Sequence, residues 1–136
     1  MTAYQDIQRR VVDAEDKTPS PLRAELTDLF VNHPAVKPHE GCPPATAKMI
    51  RYRLANGWSL GHQIETRPQH LWLAAASLPA SLPSGIARAD YPATEGGKGR
   101  HSNVNQMPDL RDQAVVRLTV TSLDQAERLL NAMLTK

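Results

Sequence analysis

The sequence has a single cysteine, Cys42, and so no internal disulfide. That excludes a disulfide-stapled secreted scaffold and fits a reducing compartment. Aromatic residues are scarce, with two Trp, three Tyr and one Phe. Once a core is built, few remain to stack on single-stranded bases. No apolar run exceeds Leu71 to Ala76, far short of the roughly 20 residues that span a bilayer. Met1 to Asp6 shows neither a basic nor an apolar leader region, which predicts a cytoplasmic protein with no membrane attachment. A large charge excess is also missing: 16 basic and 14 acidic side chains leave +2. This excludes a protein that coats polyanions generally. No segment repeats at a solenoid period. The motifs G-x-x-x-x-G-K-[ST], H-E-x-x-H and G-x-G-x-x-G do not occur, and the one G-x-S-x-G string, Gly57 to Gly61, follows the Asn56-Gly57 hairpin signal and is not a strand-to-helix elbow.

What is present suffices for one α+β domain over residues 1–136. A chain of 136 residues buries roughly two-thirds of its unfolded surface. Charge is unevenly placed. Residues 1–45 carry five basic and seven acidic groups, residues 46–111 eight and four, and residues 112–136 three of each. Eight of the eleven prolines lie between Pro34 and Pro92.

Apolar spacing predicts the elements. Tyr4, Ile7, Val11 and Ala14 recur at three and four, as on one helix stripe. Ser20 and Pro21 suit a helix start, with Leu22, Leu26, Leu29 and Phe30 as its stripe. Residues 1–32 are therefore the helical N-terminal part, and 33–45, with four prolines, an irregular linker. Residues 46–136 are expected to hold a sheet–helix core. Ile50, Tyr52 and Leu54 alternate with Arg51 and Arg53, and Asn56-Gly57 marks a hairpin turn. A three-residue turn pairs Ile50 with His62 and Tyr52 with Leu60, which keeps the apolar face together. Gly57 then takes the left-handed position. The opposite face carries Arg51, Arg53, Ser59, Gly61, Gln63 and Glu65 toward solvent. His70 to Ala76 completes a three-strand antiparallel meander, with Trp72 as core anchor. After a long loop, 77–113, Val115 to Val120 reads as a fourth strand. Ser122 then opens a C-terminal helix with stripe Leu123, Ala126, Leu129, Leu130 and Met133. The helices are expected to pack together on one face of the sheet.

The long loop is the candidate site, since structureless loops beyond about 15 residues are commonly functional. Its Glu95-Gly96-Gly97-Lys98-Gly99-Arg100-His101-Ser102-Asn103 tract combines glycines with donors for an anion. The expected binding residues are Lys98, Arg100, His101 and Asn103, joined by Arg51 and Arg53 of the basic hairpin face. The candidates for catalysis are His101, Ser102 and His62. His33, His39 and Cys42 lie close in sequence, and nitrogen and sulfur suit zinc, but a closed site takes four ligands, so no metal is expected. No signature surrounds Cys42 as a nucleophile, and no cofactor motif is present.

The function these features predict is a small non-enzymatic binding or regulatory module, such as an inhibitor. It would dock on an acidic partner, protein or nucleic acid, through the basic hairpin face and the Gly-Lys-Gly-Arg loop. The alternative is an enzyme acting on a phosphate-bearing or nucleotide substrate with loop Arg, His and Ser residues. A third possibility, a scaffold working through its acidic N-terminal helices, has no positive signal.

Overall fold

The computed structural model describes residues 1–136. In chain order the elements are α1 (Ala3–Lys17), α2 (Pro21–Asn32), β1 (Val36–Pro38), β2 (Met49–Leu54), β3 (Ser59–Gln63), β4 (Gln69–Ala74), β5 (Ala87–Tyr91), β6 (Val115–Val120) and α3 (Leu123–Leu134). The architecture is α+β, with helices at both ends of the chain and one six-stranded antiparallel sheet of order β1-β2-β3-β4-β6-β5. No helix is long and apolar enough to cross a membrane.

Local chemistry starts the helices. Thr2 and Gln5 form a reciprocal capping box at the head of α1. Ser122 Oγ accepts from the Gln125 amide at the head of α3. Pro21 opens α2, but Ser20 makes no side-chain cap. Its hydroxyl instead accepts from Gln69 Nε2 at 3.4 Å. Arg23, fully buried on α2, replaces that local tie with tertiary ones. It donates to Glu15 Oε2 at 2.5 Å, to the Ile64 carbonyl at 2.8 Å and to the Thr66 carbonyl at 3.1 Å.

The hairpin adopts the register that keeps its apolar face intact. Ile50 faces His62 and Tyr52 faces Leu60. Gly57 sits at φ +96°, a conformation that β-branched residues resist. Ile50, Tyr52, Leu54, Leu60, Leu71, Leu73, Val116, Leu118 and Val120 point to one side, where Ile7, Leu26, Phe30, Leu129 and Leu130 of the three helices cover them.

Two strands depart from the four expected. β1 lies inside the proline-rich segment 33–45, and β5 inside the segment expected as loop. Neither has the alternation that marks a strand. β1 is three residues ending in Pro38, and β5 is Ala-Arg-Ala-Asp-Tyr. Each forms because a neighbouring strand offers an unpaired edge, a long-range cause that local propensity does not carry.

The face expected to be solvated is covered. Every residue of β3 is buried, and Arg51 of β2 is 0% exposed. Residues 98–113 cross this second face as a chain of tight turns. The amides of Val104, Met107, Leu110 and Gln113 each bond the carbonyl three residues back, from His101 to Leu110. Side chains three apart in such turns align, so Val104, Met107 and Leu110 form one stripe. It packs on Met49, Trp72, Ala74 and Val115 in a second apolar cluster. Trp72 is thus an anchor of this second cluster and not of the helix-covered core.

Candidate functional site

Arginine side chains hold the loop to the sheet. Arg51 rises from β2 and donates to the Pro43 carbonyl at 2.9 Å, the Asn103 carbonyl at 3.0 Å and Gln106 Oε1 at 2.5 Å. Arg100 turns inward from the loop. It donates to Asn105 Oδ1 at 2.9 Å and to the carbonyls of Leu110, Arg111 and Gln113. Burial lowers both guanidinium pKa values, yet neither leaves the charged form. Each is a buried cation solvated by main-chain oxygens, and a charge used in this way is not offered to an external anion.

The other expected site residues separate in space. Asn103 is buried, and its Oδ1 accepts from Thr46 Oγ1 at 2.7 Å. The Asn103 amide donates to His101 Nδ1 at 3.1 Å, so the neutral ring carries its proton on Nε2, 2.7 Å from Glu65 Oε1. Ser102 and Lys98 are exposed. His62 sits fully buried under Phe30, with Nε2 on Gln69 Oε1 at 2.7 Å. Burial pulls its pKa down to about 4. Of the three glycines in the tract, Gly97 serves the protein's own packing. At Gly97 a Cβ would stand 2.0 Å from Asn105 Oδ1, and Asn105 Nδ2 donates to the Gly97 carbonyl. The tract 95–103 therefore does not gather its donors around one anion.

A second anchor was not legible in the sequence. His39 Nε2 lies 2.9 Å from Ser59 Oγ, and that hydroxyl donates to Asp109 Oδ2 at 2.7 Å. Arg53 pairs with Glu40 at 2.8 Å and lies 3.4 Å from Asp109 Oδ2. Asp109 and then Cys42 raise the His39 ring to about 9 against the opposing effect of burial. The Gly41 amide works the other way, because it donates to Nδ1 at 2.9 Å and needs a lone pair there. Burial pushes the Asp109 carboxyl up, but His39, Ser59 and Arg53 outweigh it and hold the group at about 2. The trio is not a nucleophile relay. Serine and carboxylate approach the same ring nitrogen, where a relay places them on opposite ones, and Ser59 is 1% exposed. It is a polar clamp that fixes residue 109 of the loop to β3. Asp109 and Glu40 carried no sequence signal. The three-residue spacing of Val104, Met107 and Leu110 is the one signal that could have revealed the loop's path.

His33, His39 and Cys42 do not converge. His33 Nδ1 accepts from the Ala35 amide, and no group of three His, Cys, Asp or Glu side chains is placed to hold a metal ion. Cys42 is half-buried against the second apolar cluster.

The outer surface of the loop is what remains available. It forms an open depression of about 640 Å³ lined by Gly96, Ser102, Asn105, Gln106, Pro108, Arg111 and Asp112, with Pro108 the one apolar side chain among them. Neither the Arg111 guanidinium nor the Lys98 ammonium at the adjacent tip pairs with a carboxylate. No protein-family model, curated protein or solved structure matches the chain.

Proposed function

We propose that the protein is a small non-enzymatic binding module that docks on an acidic protein surface through the outer side of its 95–113 loop. One observation supports this most: Lys98 and Arg111 are unpaired cations beside a depression lined mainly by polar side chains, on a loop fastened from beneath by Arg51 and Arg100. A fastened loop loses little freedom on binding, so its contacts translate into affinity. Protein is favoured over nucleic acid because the aromatic side chains near the loop are committed. Trp72 is 2% exposed and Tyr91 packs against it with tilted rings, 5.1 Å between centroids, which leaves neither as a platform for bases. A cytoplasmic regulator or inhibitor is the role that fits.

The test is fluorescence anisotropy with labelled poly-glutamate and duplex DNA as probes. The protein is expected to bind poly-glutamate in preference, with affinity falling as salt rises. Lys98→Glu with Arg111→Glu is expected to weaken binding about tenfold or more and to flatten the salt response. Unchanged binding in that variant would overturn the reading, and preference for the duplex would replace the protein surface by nucleic acid.

One contact favours a second reading, an enzyme on a phosphate-bearing or nucleotide substrate. His101 is paired to Glu65 at 2.7 Å, next to the exposed Ser102. A general base oriented by a carboxylate has this form once the Asn103 amide releases Nδ1 to take a proton. A screen of phosphoester and nucleotide substrates without turnover by the unaltered protein ends that reading.

A further inference from the structure

The two edges of the sheet are unequal. β1 closes one edge with three residues, and its Pro38 lacks an N–H to donate. β5 closes the other with five residues and no proline. No main-chain or side-chain hydrogen bond outside the β6 ladder reaches the main chain of residues 87–91. The outward amides and carbonyls of β5 are therefore free to pair with another strand.

The residues of β5 say which strand fits. Arg88 and Asp90 stand on one face, one residue either side of Ala89, and are exposed at 45% and 62% of their side-chain surface. Ala87, Ala89 and Tyr91 stand on the other. An edge guarded against pairing usually carries charge of one sign, which repels a second copy. Here the signs are opposite and symmetric about Ala89. An acidic strand from another protein would meet Asp90, and a basic one would meet Arg88. A strand running antiparallel about Ala89 with the same sequence meets neither conflict.

We propose that β5 is a dimerisation edge on which two copies of this chain pair antiparallel about a two-fold axis at Ala89. Arg88 of each copy faces Asp90 of the other, Ala87 faces Tyr91, and Ala89 faces itself. Directly opposed side chains in such a pair lie about 5 Å apart, where opposite charges attract and like charges repel. Small meets large at 87 and 91, so the aromatic rings do not collide. Each arginine already reaches the aspartate of its own chain at 2.9 Å, so the four charges alternate around the axis. The contact is isologous and closes after two copies, as a two-fold interface must. The two sheets become one continuous sheet. This inference does not depend on what the loop binds.

Sedimentation velocity over a range of concentrations tests it with charge exchange. The unaltered chain is expected to pass from monomer to dimer as concentration rises. Arg88→Asp places two aspartates opposite two aspartates, and Asp90→Arg places arginines opposite arginines. Each is expected to weaken dimerisation about tenfold or more. The double variant R88D/D90R restores opposite charges and is expected to dimerise like the original. An equimolar mixture of the two single variants is expected to form a heterodimer. Arg88 and Asp90 bond only one another, so circular dichroism is expected to stay unchanged in every variant. A monomer at all concentrations, single variants that dimerise normally, or a folded double variant that does not recover would each overturn the proposal.

Discussion

The two faces of the sheet are covered by different physics. On one, three helices lay apolar stripes against strand residues, and 22 buried hydrophobic side chains form the core. On the other, a loop with no helix or strand of its own covers seven buried hydrophobic residues, three of them supplied by the loop. That smaller cluster is supplemented by two buried arginines and the His39–Ser59–Asp109 clamp. Apolar burial is non-directional and tolerates repacking. Buried guanidinium groups are directional, and each carbonyl left without its donor costs about 1–3 kcal/mol. The loop face should therefore be the more brittle, and the helical face the more cooperative.

Three measurements would break or sharpen this contrast. The largest effect is expected from Arg51→Met, which leaves the Pro43 and Asn103 carbonyls and Gln106 without their donor. It should cost about 4 kcal/mol in urea unfolding. Amide exchange should quicken in residues 98–113 well before it does in α1 and α2. Equal quickening in the helices would show that the two faces unfold as one unit. The next effect is on the helical face and comes from pH. His62 is held neutral by burial, with its pKa at about 4 against an ordinary 6.5. Below 6.5 the unfolded chain takes up the proton and the folded one does not. Stability should thus fall as pH drops from 6.5 toward 4, by about 3 kcal/mol. His62→Leu should remove that slope, and a slope that persists in the variant would assign it elsewhere. The smallest effect belongs to the loop face at lower pH. Asp109 is depressed to about 2, so its contribution is complete above an ordinary carboxyl value and is lost as pH falls through about 2. Its side chain is 36% exposed, which screens the contribution to about 1 kcal/mol. Asp109→Asn should abolish the acid loosening of residues 107–113, read by amide exchange below pH 4, while the His62 slope remains.

The helical face was largely legible. Ile7, Val11 and Ala14 are buried along α1, and Ala126, Leu129, Leu130 and Met133 along α3, as their spacing required. Tyr4, expected on the first stripe, lies in the opening turn of α1 and is 43% exposed, and Leu123 at the head of α3 is only partly buried. The His62–Ile50 pairing followed from keeping one hairpin face apolar. The loop face was not legible. Arg51 and Arg53 alternate with apolar residues in the manner of a solvated face, and nothing near them signals a cover. Arg100 sits in a glycine-rich tract that resembles an anion cradle, yet it serves the protein's own carbonyls. Of the donors expected there, only Lys98 and Ser102 remain outside.

By itself the sequence determined what depends on side-chain period and turn geometry: the three helices, the hairpin register with Gly57 at its turn, and the strand–helix pair at the C-terminal end. Tertiary structure alone decided that β1 and β5 would join the sheet, that residues 98–113 would cover its second face, and that two cations would be buried beneath them. The reason is physical. Periodicity is written in side chains, whereas the partners of Arg51 and Arg100 are mostly main-chain carbonyls. Every residue carries one, so only the folded path of the chain determines which of them an arginine meets.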